Sequence, residues 1–314
     1  MGDAAGISPE IILKAALTLK NAPIIAIGCA KTFAKCKEAL GIKIELNPIK
    51  SPEEAKFEGK LNVIDIALKD PDALRIGQVQ AQSGELAYKA LEHACMLALK
   101  GQVAAIATAP LNKEALHLAG YMYPGHTEIL AKLSDTKDYA MLLYTKELKI
   151  IHVSTHVSMR GFLDKLNEKR IDKVIEIAHN FMQKCGYKHP RIALAGINPH
   201  AGENGLFGSE EQEFLLPCIK RAKEAGLEVS GPWPADTVFL RAKNGEFDIV
   251  LAMYHDQGHI PLKLLGFFDG VNITAGLPFL RTSPDHGTAH DIAWKGLARE
   301  ESMIGAIKLA WELI

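Results

Sequence analysis

The sequence predicts an α/β protein built on a mostly parallel sheet, and two observations carry that expectation. Short apolar runs of strand length alternate along the chain with longer segments of helical periodicity. Three of the runs, 148–153, 191–196 and 248–253, are each followed closely by a histidine in a polar turn. His156 comes after Ser154 and Thr155, His200 after Asn198 and Pro199, and His255 ahead of Asp256-Gln257-Gly258. Polar turns of this kind belong at the carboxyl edge of an open parallel sheet, where such folds bind ligands.

The elements follow in order. Ser8-Pro9-Glu10 opens a helix with a hydroxyl N-cap, a proline in the first turn and an acid, ahead of Ile11, Ile12, Ala15, Ala16 and Leu19. Residues 23–28 form a buried strand, and the polar, proline-bearing stretch 46–59 is a surface excursion. Ser83 caps a long helix running to Lys100, with Gly101 as its stop signal, and residues 103–107 make the next strand. Thr127 reads as the N-cap of a helix continued by Ile129, Leu130 and Leu133. Ser209-Glu-Glu-Gln212 is a capping box opening another helix. No internal repeat, low-complexity tract or linker interrupts the chain.

A length of 314 residues favours about two domains. Lys plus Arg number 36 against 37 acidic residues, so the net charge of −1 gives no basis for a nucleic-acid or anionic-membrane partner. No apolar run approaches the roughly 18 residues needed to span a bilayer. The amino terminus does not resemble a signal peptide, because Asp3 is acidic and Lys14 and Lys20 interrupt the apolar stretch from Ile11. The five cysteines are widely spaced with no Cys-x-x-Cys, as expected of reduced thiols in a cytoplasmic protein.

Taken singly, each of the three histidines is more often a structural residue than a ligand. Their shared placement after strands makes a divalent metal the sharper reading, since such ions commonly take three protein ligands and keep a position open. His200 sits among Gly202, Gly205 and Gly208, which let backbone approach a ligand closely. Asp256 is placed to orient an imidazole or join the metal. Gly125-His126-Thr127-Glu128 puts a helix N-terminus, an anion-binding element, beside a histidine; a plain capped helix is the alternative. Lys263, Asn272 and Arg281 supply two cations and an amide suited to a phosphorylated substrate, though each alone fits a solvated surface residue. The polar tail Arg281-Thr-Ser-Pro-Asp-His-Gly-Thr288 suits a cofactor or phosphate pocket. There is no Gly-x-Gly-x-x-Gly after a strand, no Walker A sequence and no Gly-x-Ser-x-Gly elbow. On these residues alone, a metallohydrolase or lyase stands level with a dehydrogenase.

The chain resembles the 4-hydroxythreonine-4-phosphate dehydrogenase (PdxA-type) family along nearly its whole length. The resemblance rests on Met1-Gly-Asp-Ala-Ala-Gly-Ile, Thr108-Ala-Pro, Gly125-His-Thr-Glu, Thr155-His156, Asn198-Pro-His-Ala-Gly-Glu, Pro234-Ala-Asp-Thr, Tyr254-His-Asp-Gln-Gly and Asp285-His-Gly-Thr. It implies a two-domain α/β/α architecture like that of isocitrate and isopropylmalate dehydrogenases, with the active site in the cleft between domains. One domain would comprise 1–126 with about 283–314, and the other about 127–282. His156, His200 and His255 would hold one divalent metal (zinc, magnesium, cobalt or manganese). His126, Thr127, Lys263, Asn272 and Arg281 would contact the phosphorylated substrate. NAD or NADP would take the hydride, with decarboxylation of the keto acid, and Asp236 and Asp256 would serve in proton transfer or metal orientation. No residue is singled out for cofactor binding. The resemblance also implies a homodimer with a shared active site.

Two departures from the family pattern carry expectations. Family members usually begin with a strand ahead of the Gly-Asp motif, so the opening strand is expected to be missing, through a misassigned start or a truncated form, with a neighbouring strand edge uncovered. Ala4 stands where proline is usual and Ser8 where glycine is usual. The segments His255-Asp-Gln-Gly-His-Ile-Pro-Leu-Lys-Leu-Leu-Gly266 and Asp291-Ile-Ala-Trp294 resemble more closely the sugar-acid branch, which oxidises 4-phospho-D-threonate or 4-phospho-D-erythronate. Vitamin B6 biosynthetic members act instead on 4-phosphooxy-L-threonine.

Overall fold

The structure, a computed structural model, describes residues 1–266 and 270–314; Phe267-Phe268-Asp269, inside the segment that carries Lys263 and Asn272, lie outside the described residues. Two compact units are present, Met1–Lys137 with Leu277–Glu312 and Ile314, and Asp138–Gly276 with Leu313. The fold is mixed α/β throughout, with helices and strands interleaved.

The first unit contains α1 (Ser8–Thr18), β1 (Ile25–Gly28), α2 (Ala30–Ala39), β2 (Glu45–Ile49), β3 (Lys60–Asp65), α3 (Ala81–Leu99), β4 (Ala105–Ala107), α4 (Lys113–Leu118) and α5 (His126–Leu133). The second contains β5 (Ala140–Tyr144), β6 (Lys149–His152), α6 (Met159–Lys165), α7 (Glu168–Lys184), β7 (Ile192–Ala195), α8 (Leu216–Glu224), β8 (Val229–Trp233), α9 (Ala235–Lys243), β9 (Ile249–Ala252), α10 (His255–Leu265) and β10 (Val271–Ala275). The chain then re-enters the first unit for β11 (Leu280–Pro284) and α11 (Glu301–Glu312).

In the first unit β3 lies between β1 and β2, all parallel, and β4 pairs in parallel with β11. Its core gathers Ile11, Leu13, Phe33, Leu61, Val63 and Met303. An apolar cavity of about 470 Å3 lies beside β1 and β4. In the second unit the strand order is β10-β5-β6-β9-β7-β8, antiparallel at the β10, β5 and β6 end and parallel from β6 through β8. β6, β7 and β9 are buried at every residue. That is why β7 and β9 read in sequence as continuous apolar runs, since a central parallel strand has both faces covered. Among the described residues, no helix is long and apolar enough to cross a membrane. The five cysteines are free thiols.

Several local expectations need correction. The stretch 46–59 holds β2, which tolerates Pro48 because an edge strand needs no donor on its outer side. Ser8 does not cap α1: Ile7 occupies that position, and the Ser8 hydroxyl donates to the Pro110 carbonyl at 2.7 Å. α3 begins two residues before Ser83, whose hydroxyl turns back to the Gln80 carbonyl; its end at Gly101, with φ of 70°, is as expected. Gly125, not Thr127, caps α5. The proposed capping box at Ser209 gives way to a π-helical turn, Glu211–Leu215, leading into α8, and the Ser209 hydroxyl donates to the Glu213 carboxylate instead.

Candidate active site

The second unit brings the three histidine turns to one sheet edge. β6, β9 and β7 are adjacent and parallel, so the turns after them leave in the same direction. His156 follows β6, His255 opens α10 after β9, and His200 lies in the turn after β7. The rings of His156 and His255 lie with centroids 5.6 Å apart, their planes tilted by 43°. His200 is set edge-on to Phe207 at 5.9 Å and is 63% exposed.

Two of the imidazoles carry a carboxylate on Nδ1. Asp256 Oδ1 stands 2.7 Å from His255 Nδ1, and Glu203 Oε2 stands 3.1 Å from His200 Nδ1. An acid acting as acceptor there fixes the hydrogen on Nδ1 and leaves Nε2 as the metal-binding nitrogen, the usual outer-shell arrangement at histidine metal sites. The donor set therefore fits a divalent metal. As the side chains stand, no group of three or more His, Cys, Asp or Glu among the described residues is drawn together to hold one.

The backbone around His200 is unusual. His200, Ala201, Gly202, Glu203 and Asn204 all have φ between 42° and 79°. Non-glycine residues in this region are costly, at about 1–3 kcal/mol each when held there, and they concentrate at functional sites. Glu211, which is 2% exposed, holds the turn in place. Its Oε1 accepts from the amides of Ile197 and Asn198, both at 2.7 Å, and its Oε2 accepts from Asn198 Nδ2 at 3.0 Å. A second buried side chain, Gln257, joins the turns after β7 and β9. Its amide donates to the Gly196 carbonyl at 2.6 Å, and its oxygen accepts from the Met253 amide at 2.6 Å. Sequence reasoning missed Glu203, Glu211 and Gln257. Glu203 and Gln257 lie inside the motifs Asn198-Pro-His-Ala-Gly-Glu and Tyr254-His-Asp-Gln-Gly, which were the signal that could have found them. Asp236 lies exposed in the first turn of α9.

Beneath the site, His152 at the end of β6 is 1% exposed, and its Nε2 has no hydrogen-bond partner. Burial, reinforced by His259, pushes its imidazole from 6.5 down to about 3. The unfolded chain takes up this proton more readily, so the neutral ring's contribution to stability is complete above the ordinary imidazole value and is lost as pH falls from there toward 3. At about 1.4 kcal/mol per pH unit, the wild type is expected to lose roughly 3 kcal/mol more than His152→Leu between about pH 6.5 and pH 4. Urea unfolding at the two pH values measures it, and equal losses would exclude His152 as the cause.

The first unit holds a separate cluster. Arg281 on β11 is 4% exposed, and its Nε and Nη2 donate to Thr108 Oγ1 at 3.2 and 2.7 Å. Burial lowers its guanidinium to about 10, with Glu128 acting in the opposite sense. Half-buried His126 opens α5, and its imidazole lies well below the ordinary value, first through burial and then through the Arg281 charge. Thr127 follows in the same first turn. A buried guanidinium beside a helix N-terminus and a neutral imidazole is chemically an anion receptor. The other two residues assigned to substrate, Lys263 on α10 and Asn272 in β10, are half-buried in the second unit.

A family model described as pyridoxal phosphate biosynthetic protein PdxA matches residues 20–310. The chain belongs to the PdxA family. It is 60% identical over 318 residues to D-threonate 4-phosphate dehydrogenase of Salmonella typhimurium, covering 100% of this chain and 97% of that protein. It is 45% identical over 316 residues to 4-hydroxythreonine-4-phosphate dehydrogenase of Beijerinckia indica, covering 100% and 93%. The crystal structure of a Klebsiella pneumoniae 4-hydroxythreonine-4-phosphate dehydrogenase superposes with a TM-score of 0.97 at 58% identity, over 100% of this chain and 96% of that one. Membership makes the chain an oxidoreductase, an NAD(P)-dependent dehydrogenase in type.

Proposed function

We propose that the chain oxidises D-threonate 4-phosphate, or the related erythronate, with NAD or NADP, and that the resulting keto acid is decarboxylated. The observation that carries the choice of substrate is the 60% identity to a D-threonate 4-phosphate dehydrogenase, against 45% to the Beijerinckia 4-hydroxythreonine-4-phosphate enzyme. His156, His200 and His255 would hold a divalent metal (zinc, magnesium, cobalt or manganese), Asp256 and Glu203 fixing two of the imidazoles through Nδ1. When bound, the metal supplies a Lewis acid that lowers the pKa of the substrate hydroxyl, and NAD(P) supplies the hydride acceptor.

The remaining roles belong to the chain's own groups. Arg281, oriented by Thr108, takes the phosphate with the first turn of α5, where His126 is kept neutral and so free of charge competition with the guanidinium. Thr127 adds a hydroxyl at that helix end. Lys263 and Asn272 enter the proposal through the family resemblance alone, as do Asp236 and Asp256 in proton transfer. Homodimeric assembly and a cytoplasmic location complete the reading.

The test is NADH formation by the purified, metal-loaded protein with 4-phospho-D-threonate and with 4-phosphooxy-L-threonine side by side. Higher kcat/KM with the first is expected. Preference for the second would move the enzyme to the vitamin B6 substrate. Turnover of either without absorbance at the NADH band would favour a metal-dependent hydrolase or lyase.

A further inference from the structure

We propose that His259 is a positioning residue for His255, its ring forming the flat seat that fixes the plane of that imidazole. The inference rests on the reading of His255 as a metal ligand. His259 lies one helical turn after His255 on α10, where side chains four residues apart are neighbours. The two rings stack at 3.6 Å with an angle of 12° between their planes. His259 Nδ1 is 3.0 Å from the His255 carbonyl, and because a carbonyl only accepts, Nδ1 carries the hydrogen. The seat is 6% exposed. It rests in turn on His152, whose ring centroid is 4.8 Å away.

The foundation of this stack is tightly built. A Cβ added at Gly258 would stand 2.4 Å from His152 Nε2 and 2.8 Å from Ile150 Cγ2, so only glycine lets the first turn of α10 sit this close to β6. His255 is thus constrained in two directions, by Asp256 against Nδ1 in the ring plane and by His259 against the ring face. These holds are unequal. The Asp256 side chain is 73% exposed, so water competes for its contact with Nδ1. The buried stack is the stronger determinant of where His255 Nε2 points. His259 would act without touching the metal, through the plane of the His255 ring.

Cobalt(II) titration of the whole protein tests it, read by visible d–d absorption and by the dissociation constant. His259→Leu, which keeps apolar volume but no flat ring, is expected to weaken cobalt binding about 10- to 100-fold, the range for removing an outer-shell partner, and to change the band pattern. His259→Phe, which retains a ring, is expected to hold affinity within about threefold of wild type, a rescue that a general packing role would not give. Should His259→Leu fail to fold by circular dichroism, His259→Gln keeps a donor without a ring and carries the same expectation. Wild-type affinity and spectrum in the ringless variant, or equal losses in the Leu and Phe variants, would overturn the proposal. Failure of the folded wild type to bind cobalt or zinc at all would instead remove the metal reading, and this inference with it.

Discussion

Arg281→Ala raises KM for the phosphorylated substrate by about two to three orders of magnitude and leaves KM for NAD within about twofold, in steady-state kinetics with each substrate varied. A guanidinium makes paired, charge-assisted hydrogen bonds to phosphate, and two of them at the lower end of the range for charged groups, about 1.5–2 kcal/mol each, amount to roughly 3–4 kcal/mol, or 10^2–10^3 in affinity. The effect is expected to fall on binding and not on folding. Arg281 is buried and its guanidinium is destabilised there, so its removal relieves a desolvation cost that offsets the loss of its bonds to the Thr108 hydroxyl. Lysine at this position restores charge but not the planar fork, so Arg281→Lys should recover only part of the loss. Equal damage to substrate and NAD would sink the assignment.

Glu211→Ala lowers stability by about 3 kcal/mol, because two backbone amides and the Asn198 side chain lose a buried charged acceptor together. At about 2–4 °C per kcal/mol for chains of 150–250 residues, and less for a longer one, the melting temperature should fall by up to roughly 6–12 °C. Glu211→Gln, which keeps one acceptor oxygen, should lose about half as much. A fall of under about 2 °C in Glu211→Ala would mean that the strained run His200–Asn204 is held by its own packing. The two variants separate scaffold from chemistry, since both leave His200 itself in place.

The parts of this molecule legible in its sequence are those governed by local periodicity and by recurring motifs. β7 and β9 announce themselves because double-sided burial leaves no polar residue in them, and β6 keeps an apolar centre between Lys149 and His152. The histidines after them are legible as a set, because three imidazoles follow three adjacent parallel strands and so share one sheet edge. What was not legible depends on distant partners. Ser8 looks like a cap, yet its hydroxyl bonds to Pro110, 102 residues away. Glu211 looks like part of a surface capping box, but it is the buried acceptor for a turn 13 residues upstream. β2 hides in a polar stretch because an edge strand needs neither a continuous apolar pattern nor every amide. His259 is plain as a residue and invisible as a seat, since stacking is a property of two rings in space.

One last consequence belongs to Gln257. Its single terminal group must accept from the Met253 amide and donate to the Gly196 carbonyl at once. A carboxylate can accept but not donate, an ammonium can donate but not accept, and an imidazole changes its offer with acidity. A carboxamide presents both faces and does not titrate between the extremes of pH at which proteins survive. The tie between the turns after β7 and β9 is therefore indifferent to acidity, and the backbone that carries the two histidines is fastened by a chemically silent group.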